Sequence, residues 1–173
     1  MVSVNALVID KARVYGNAQV RGNAVVYDNA EISGDAKIFG NAQIRCDAVV
    51  CEDAKIYGHA IVCGNADVYG NARIYGNAEV SGNAQVFGNA IIYGDAIVYD
   101  NAQVYNNARI YGYAFVYGDA EVCGDAFVYG YAKVYANAVV RDNAEVYGCA
   151  RVCNDAEVCD DAEVFDNAIV CDD

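Results

Sequence analysis

Val68-Tyr69-Gly70-Asn71-Ala72-Arg73-Ile74 holds one full period of this chain. An aliphatic residue is followed by an aromatic, a glycine, an asparagine, an alanine and a variable residue, and then the aliphatic returns. Outward from this stretch the period does not slip. An alanine stands at every sixth position from Ala6 to Ala168, and a valine or isoleucine follows two residues after each, through 28 hexads without a proline. A fixed period of this kind means a solenoid, in which each repeat buries its apolar side only by stacking on the next.

Side chains alternate across a strand. Alanine and the aliphatic residue therefore point one way, into the core, while the variable residue and the tyrosine slot point outward. The Gly-Asn or Asp-Asn pair turns the chain, because these residues tolerate the left-handed backbone that corners need. A helix is excluded: six matches neither 3.6 nor the heptad, and Tyr-Gly-Asn interrupts helix every turn. Three short strands and three corners close a coil of 18 residues, so residues i and i+18 stack. Nearly ten such coils at ~4.8 Å make a rod on the order of 45 Å long.

The run Val68 to Ile74 resembles the hexapeptide repeat of the left-handed parallel β-helix acyltransferases, with its aliphatic residue and a small residue four positions later. The resemblance covers essentially the whole chain. It implies an all-β, single-domain solenoid over residues 1–173 with triangular section and left-handed coils, a hand that the repeat alone does not fix and that runs against the usual crossover preference. Two departures separate the chain from those enzymes. The slot after the aliphatic residue, often small or acidic in the family, is frequently tyrosine. The long loops and C-terminal helical segments that carry coenzyme A and acceptor in many members have no counterpart. Fold therefore transfers more readily than activity.

The net charge of −13 is uneven. Residues 142–173 hold ten acids and one base (Arg151), giving −9, whereas residues 1–141 hold 14 acids and ten bases, giving −4. Direct nucleic-acid binding is disfavoured, since neutralising phosphates needs clustered Lys and Arg. No segment is long and apolar enough to span a membrane, and Met1 to Asn5 enters the first hexad without a charged leader, so the chain reads as cytoplasmic. In the last coils like charges stack, as in Asp142/Asp160, Asp155/Asp173 and Glu145/Glu163, and something must offset that. The acidic end also serves as a guard against edge pairing, or meets the more balanced N-terminal end of another copy.

Of eight cysteines, six (Cys51, Cys63, Cys123, Cys153, Cys159, Cys171) fall in the outward tyrosine slot, and Cys46 and Cys149 fall at corners. Only Cys153 and Cys171 stack at i and i+18, close enough for a disulfide. In a reducing compartment free thiols are the expectation, and no four thiols converge as a zinc site requires, so no metal is assigned.

Acyl transfer in this fold, as the resemblance implies it, uses a histidine base, and the chain has one, His59. It replaces Asn/Asp at a corner, stacked between Asn41 and Asn77, and neither neighbour is a carboxylate to orient it. The aromatic slot is more informative. Every eighteenth residue from Phe39 reads Tyr57, Tyr75, Tyr93, Tyr111, Tyr129, Tyr147 and Phe165, an unbroken ladder of eight on one face; the other two faces are interrupted. Tyr113 and Tyr131 take a neighbouring corner otherwise mostly Asn, and Phe127 flanks Tyr129. Rings that each expose on the order of 80 Å² would give a strip above ~600 Å², beyond the usual monomer patch.

Three functions follow in order. The first is a non-catalytic binding or scaffold rod without cofactor, acting through the aromatic face on another copy, as a homo-oligomer, or on a protein partner. The second, implied by the resemblance, is an acyltransferase with its site between subunits near His59 and coenzyme A as carrier. The third is an acidic rod that imitates DNA and blocks a nucleic-acid-binding protein, which fits a charge spread along the rod better than one gathered at an end.

Overall fold

A computed structural model describes residues 1–172, and Asp173, the proposed stacking partner of Asp155, lies outside them. Every strand among them contains the variable residue and the aliphatic residue of its hexad, as in Arg73–Ile74 and Ile91–Ile92. The strands form three parallel sheets with ten, nine and nine members. Face one runs from Leu7–Val8 to Ile169–Asp172, face two from Arg13–Val14 to Glu157–Val158, and face three from Gln19–Val20 to Glu163–Val164. Partners are always 18 residues apart, as in Arg73↔Ile91 and Ile91↔Arg109. The expected all-β solenoid with 18 residues per coil is thus the observed architecture. No helix long and apolar enough to cross a membrane occurs among the described residues.

The core is a stack of alanines and aliphatic side chains. From Ala18 to Ala156 every alanine of the period and its Val/Ile partner up to Val152 is completely buried, and no polar side chain is buried with them. Alanine is small enough to let the chain turn into the next strand, while Val and Ile fill the interior and favour extended backbone. Backbone bonding follows the whole perimeter. Tyr57 N donates to Ile74 O along the face at 3.0 Å, and His59 N donates to Gly76 O at the corner at 2.7 Å. Backbone bonds thus tie each coil to the next at the corners as well as along the faces.

Each corner residue from Asp10 to Asp166 at the fifth place of the hexad, counted from its alanine, has positive φ. Glycine serves this place where backbones approach closely: a Cβ on Gly124 would sit 2.6 Å from Asp142 N. Sequence logic reserves the place for Gly, Asp and Asn, yet Cys46, Glu52 and Ala136 hold the same conformation at φ 58–60°. Coil stacking on both sides sets their backbone despite its intrinsic cost.

Three expectations are corrected. Cys63 and Cys123 occupy the outward slot but are buried, because a short thiol is covered by its neighbours where a tyrosine would project. Cys153 and Cys171, expected as free thiols, are joined as a disulfide; their Cα atoms lie 4.7 Å apart on adjacent rungs, within the range such a bridge spans. The stacked C-terminal acids are relieved within the chain. Tyr129 and Tyr147 hydroxyls donate to Glu145 and Glu163 at 3.0 and 2.9 Å, and Asp160 N donates to the Asp142 carboxylate at 3.3 Å.

Candidate functional site

Face three carries the aromatic ladder. The tyrosine slot follows the second strand residue, so the parallel register places successive rings one coil apart. From Phe39 to Phe165 all eight rings stack, with centroids 4.7–5.4 Å apart and planes within 14°. The slots on face one and face two hold only shorter runs, Tyr99–Tyr117–Tyr135 and Tyr69–Phe87–Tyr105. Stacking has a cost in exposed area that the sequence reading did not anticipate. The six tyrosines of the ladder are half-buried, since each ring covers the faces of its neighbours, and only Phe39 and Phe165 at the ends stay exposed. The strip is accordingly narrower than eight separately exposed rings would make it.

Electrostatics follow from that packing. Burial raises the hydroxyl pKa values of Tyr57, Tyr93 and Tyr111, with the preceding ring of the ladder or the next one adding to the shift. Tyr129 is raised further, by burial first and then by its hydrogen bond to the Glu145 carboxylate. The bond to Glu163 leads the same upward shift at Tyr147. The ladder is therefore neutral at ordinary pH and offers ring edges and O–H groups, not charge. Tyr113 and Tyr131 stack on each other at 5.0 Å on the adjoining corner and are exposed. Phe127 lies in the strand column beside the ladder, under the Arg109 guanidinium at 5.3 Å.

His59 stands on the same corner column as Tyr113, four residues after its strand-column neighbour Lys55. It is exposed, and its Nε2 is 3.5 Å from Asn41 Nδ2. A base needs a carboxylate or carbonyl to orient it and a concavity to hold the acceptor. Two grooves lie elsewhere. One, of about 340 Å³, is lined by Arg73, Ile91, Arg109 and the corner residues Asn71, Asn89, Asn107 and Asp125; the other surrounds Gln19, Arg21, Lys37 and Phe39. Both open on face three, so the structure gathers the ladder, Phe127 and both grooves on one surface and leaves His59 at its margin.

The remaining polar columns are structural. Asn65, Asn83 and Asn101 pass side-chain hydrogen bonds up the corner at 2.9–3.0 Å and end on Asp119. Among the described residues, Asp142, Cys159 and Asp160 bring possible metal-ligand atoms within 4.8 Å of one another. The Asp142 carboxylate there already accepts from Arg141 Nη1 at 2.6 Å, which reduces the charge a cation would meet.

Residues 72–86, 84–100 and 102–118 match the YdcK beta solenoid repeat. No curated protein matches the chain in sequence. Among solved structures, the UDP-N-acetylglucosamine acyltransferase of Francisella novicida superposes with a TM-score of 0.53 at 18% identity, over 91% of this chain and 62% of that one. The UDP-N-acetylglucosamine acyltransferase of Campylobacter jejuni gives a TM-score of 0.46 at 16% identity, over 90% and 68%. This chain thus spans less than two thirds of the length of the Francisella enzyme. The chain has the hexapeptide-repeat β-solenoid fold, with central coils that resemble the YdcK repeat.

Proposed function

We propose that the chain is a non-catalytic β-solenoid rod that binds a protein surface through face three. The observation that carries the reading is the continuity of the aromatic ladder on that face alone. Inter-coil stacking stabilises any solenoid face, by ~0.5–1.5 kcal/mol per ring pair, and the chain uses short runs for that purpose on the other two. A ladder complete over eight coils provides what protein interfaces select: rigid rings, few rotamers to freeze, and hydroxyls at the rim. The acyltransferase reading asks His59 to act from an exposed corner with an asparagine as its side-chain partner, and the charge of an imitation DNA rod is gathered at one end.

The test compares wild type with Tyr93→Ser plus Tyr111→Ser and with His59→Ala. Sedimentation over a range of concentrations reads association, and release of free thiol from acetyl-coenzyme A reads transfer. The tyrosine variant loses association while keeping its β circular dichroism; His59→Ala keeps both; no preparation releases thiol above the spontaneous rate. Thiol release that depends on His59 overturns the proposal.

A further inference from the structure

Beside the ladder on face three runs the column of variable strand residues. After Gln19 it runs through Lys37, Lys55 and Arg73, continues through Ile91, Arg109 and Phe127, and reaches Glu145 and Glu163. Register stacks like on like at both ends, Lys37↔Lys55 and Lys55↔Arg73 at one and Glu145↔Glu163 at the other. That arrangement is unfavourable between direct neighbours. The tyrosine hydroxyls temper the acidic end. The basic end has no such relief: the ion pairs among the described residues involve only Arg13 and Arg141, both on face two. Four of the chain's 11 cationic side chains thus stand in one column without an acidic partner among the described residues, Arg109 resting on the Phe127 ring, in a protein with net charge −13. The corresponding column of face two is mostly acid and amide, with Glu31, Asp67, Glu121 and Glu157 against Arg13.

We propose that face three docks on face three of a second copy of this chain, with the rods antiparallel about a two-fold axis between the coils of Ile91 and Arg109. This rests on the reading of face three as a binding surface and names its occupant. A two-fold axis in the interface and perpendicular to the rods reverses the order of coils but keeps each column opposite itself. Lys37 then faces Glu163, Lys55 faces Glu145, Arg73 faces the Phe127 ring, and Ile91 faces Arg109. No like charges meet. A shift of one coil one way puts Arg73 on Arg109, and one coil the other way puts Arg109 on its own copy. Parallel rods exchange the two columns, so Lys37 comes opposite Phe39, and all the cations gather at one end of the pair and all the acids at the other. The ladder obeys the same dyad: Phe39 meets Phe165, Tyr57 meets Tyr147, Tyr75 meets Tyr129 and Tyr93 meets Tyr111, with no ring left over. Two independent columns, one charged and one aromatic, share a centre.

The area fits a modest dimer. Eight coils at ~4.8 Å and a face four residues wide at ~3.3 Å give ~500 Å² per copy, or ~1,000 Å² in total. That is at the lower bound for a specific interface, so the dimer is weak and, being steered by paired charges near the surface, sensitive to salt.

The experiment is sedimentation equilibrium of the full chain at low and high salt, with Lys37→Glu plus Lys55→Glu, with Glu145→Lys plus Glu163→Lys, and with all four changes together. Each charge pair occurs twice in the dimer, so either double change weakens dimerisation by about tenfold or more at low salt, and the fourfold variant restores it. Should the fourfold variant fail to fold, Lys37→Glu and Glu163→Lys, both at exposed positions, make the same cycle alone. A dimer that ignores the charge changes but dissociates on Tyr111→Ala overturns the antiparallel register and leaves the binding face standing. A dimer indifferent to both kinds of change overturns both readings. A wild-type chain that stays monomeric at every concentration overturns the second copy as occupant.

Discussion

Truncating one ring on face three and one on face one separates glue between coils from a binding surface. Tyr111 stacks on Tyr93 and Tyr129, both at 4.8 Å. Tyr117 on face one stacks on Tyr99 and Tyr135 at 4.9 and 5.1 Å. The two rings are alike in burial, and both hydroxyls are pushed up mainly by burial. Tyr111→Ala and Tyr117→Ala each remove two stacked pairs, at ~0.5–1.5 kcal/mol apiece, and each lowers stability by ~1–3 kcal/mol. Denaturant unfolding followed by circular dichroism therefore gives matched losses. Association does not match. In a two-fold dimer each lost ring counts twice, and an interfacial aromatic that matters costs ~2 kcal/mol or more on truncation. Tyr111→Ala weakens association by well over tenfold, as read by sedimentation, while Tyr117→Ala leaves it unchanged. Equal weakening by the two variants would refute the assignment of binding to face three, and so would association untouched by either.

Other consequences concern the core, the corners and pH. Ile92→Ala, at a fully buried site, lowers stability by ~2–5 kcal/mol in denaturant melts, whereas Ile169→Ala, at a position 65% exposed, stays within ~0.5 kcal/mol. Gly124→Val places a side chain at φ +69° against the Asp142 backbone and costs ~1–3 kcal/mol or more in the same assay. His59→Ala, at an exposed corner, leaves the melt within ~0.5 kcal/mol of wild type. Tyr57, Tyr93, Tyr111, Tyr129 and Tyr147 all have folded pKa values above the ordinary value of 10.0. An unfolded chain therefore releases protons first, so the stability held by the neutral hydroxyls is complete below pH ~10 and declines as pH rises through the folded values. Melts in alkaline buffers with tyrosinate absorbance as the second probe show unfolding and ionisation together; a melt that stays flat while tyrosinate accumulates contradicts this linkage.

Most of the fold was legible in the sequence because the period puts every small and aliphatic residue on one side. Ala18, Ala36 and Ala54 in phase with Val20, Ile38 and Ile56 give the strands, the corners and the buried side, while three edges to a coil of 18 residues came with the resemblance to the hexapeptide repeat. The same phase made the ladder legible by counting. Its exposure was not, since it depends on how far each ring shields the next: the sequence places Tyr75 outside but does not say that Tyr57 and Tyr93 cover both its faces. Cys63 misled for a related reason, because outward direction and accessibility part company when the side chain is short and a long one, here Arg45, lies on the neighbouring rung. Glu52 and Ala136 at left-handed corners show the limit of local propensity, which yields where coils above and below dictate the backbone.

Net charge concealed the most about function. A total of −13 argues against a basic surface only if charge is well mixed, and a solenoid does not mix it. Register sorts residues into columns, so Lys37, Lys55, Arg73 and Arg109 reach one face while most of the excess acid goes to other columns and to the last coils. Rings needed only as glue could start and stop at any coil, and unpaired cations could be placed in any column. Here the ladder begins on the coil where the charges of the strand column begin, Phe39 with Lys37, and that column changes sign along the rod, from Lys37 and Lys55 to Glu145 and Glu163. Stabilising the rod requires neither the shared start nor the reversal of sign; matching the face to an inverted copy of itself uses both.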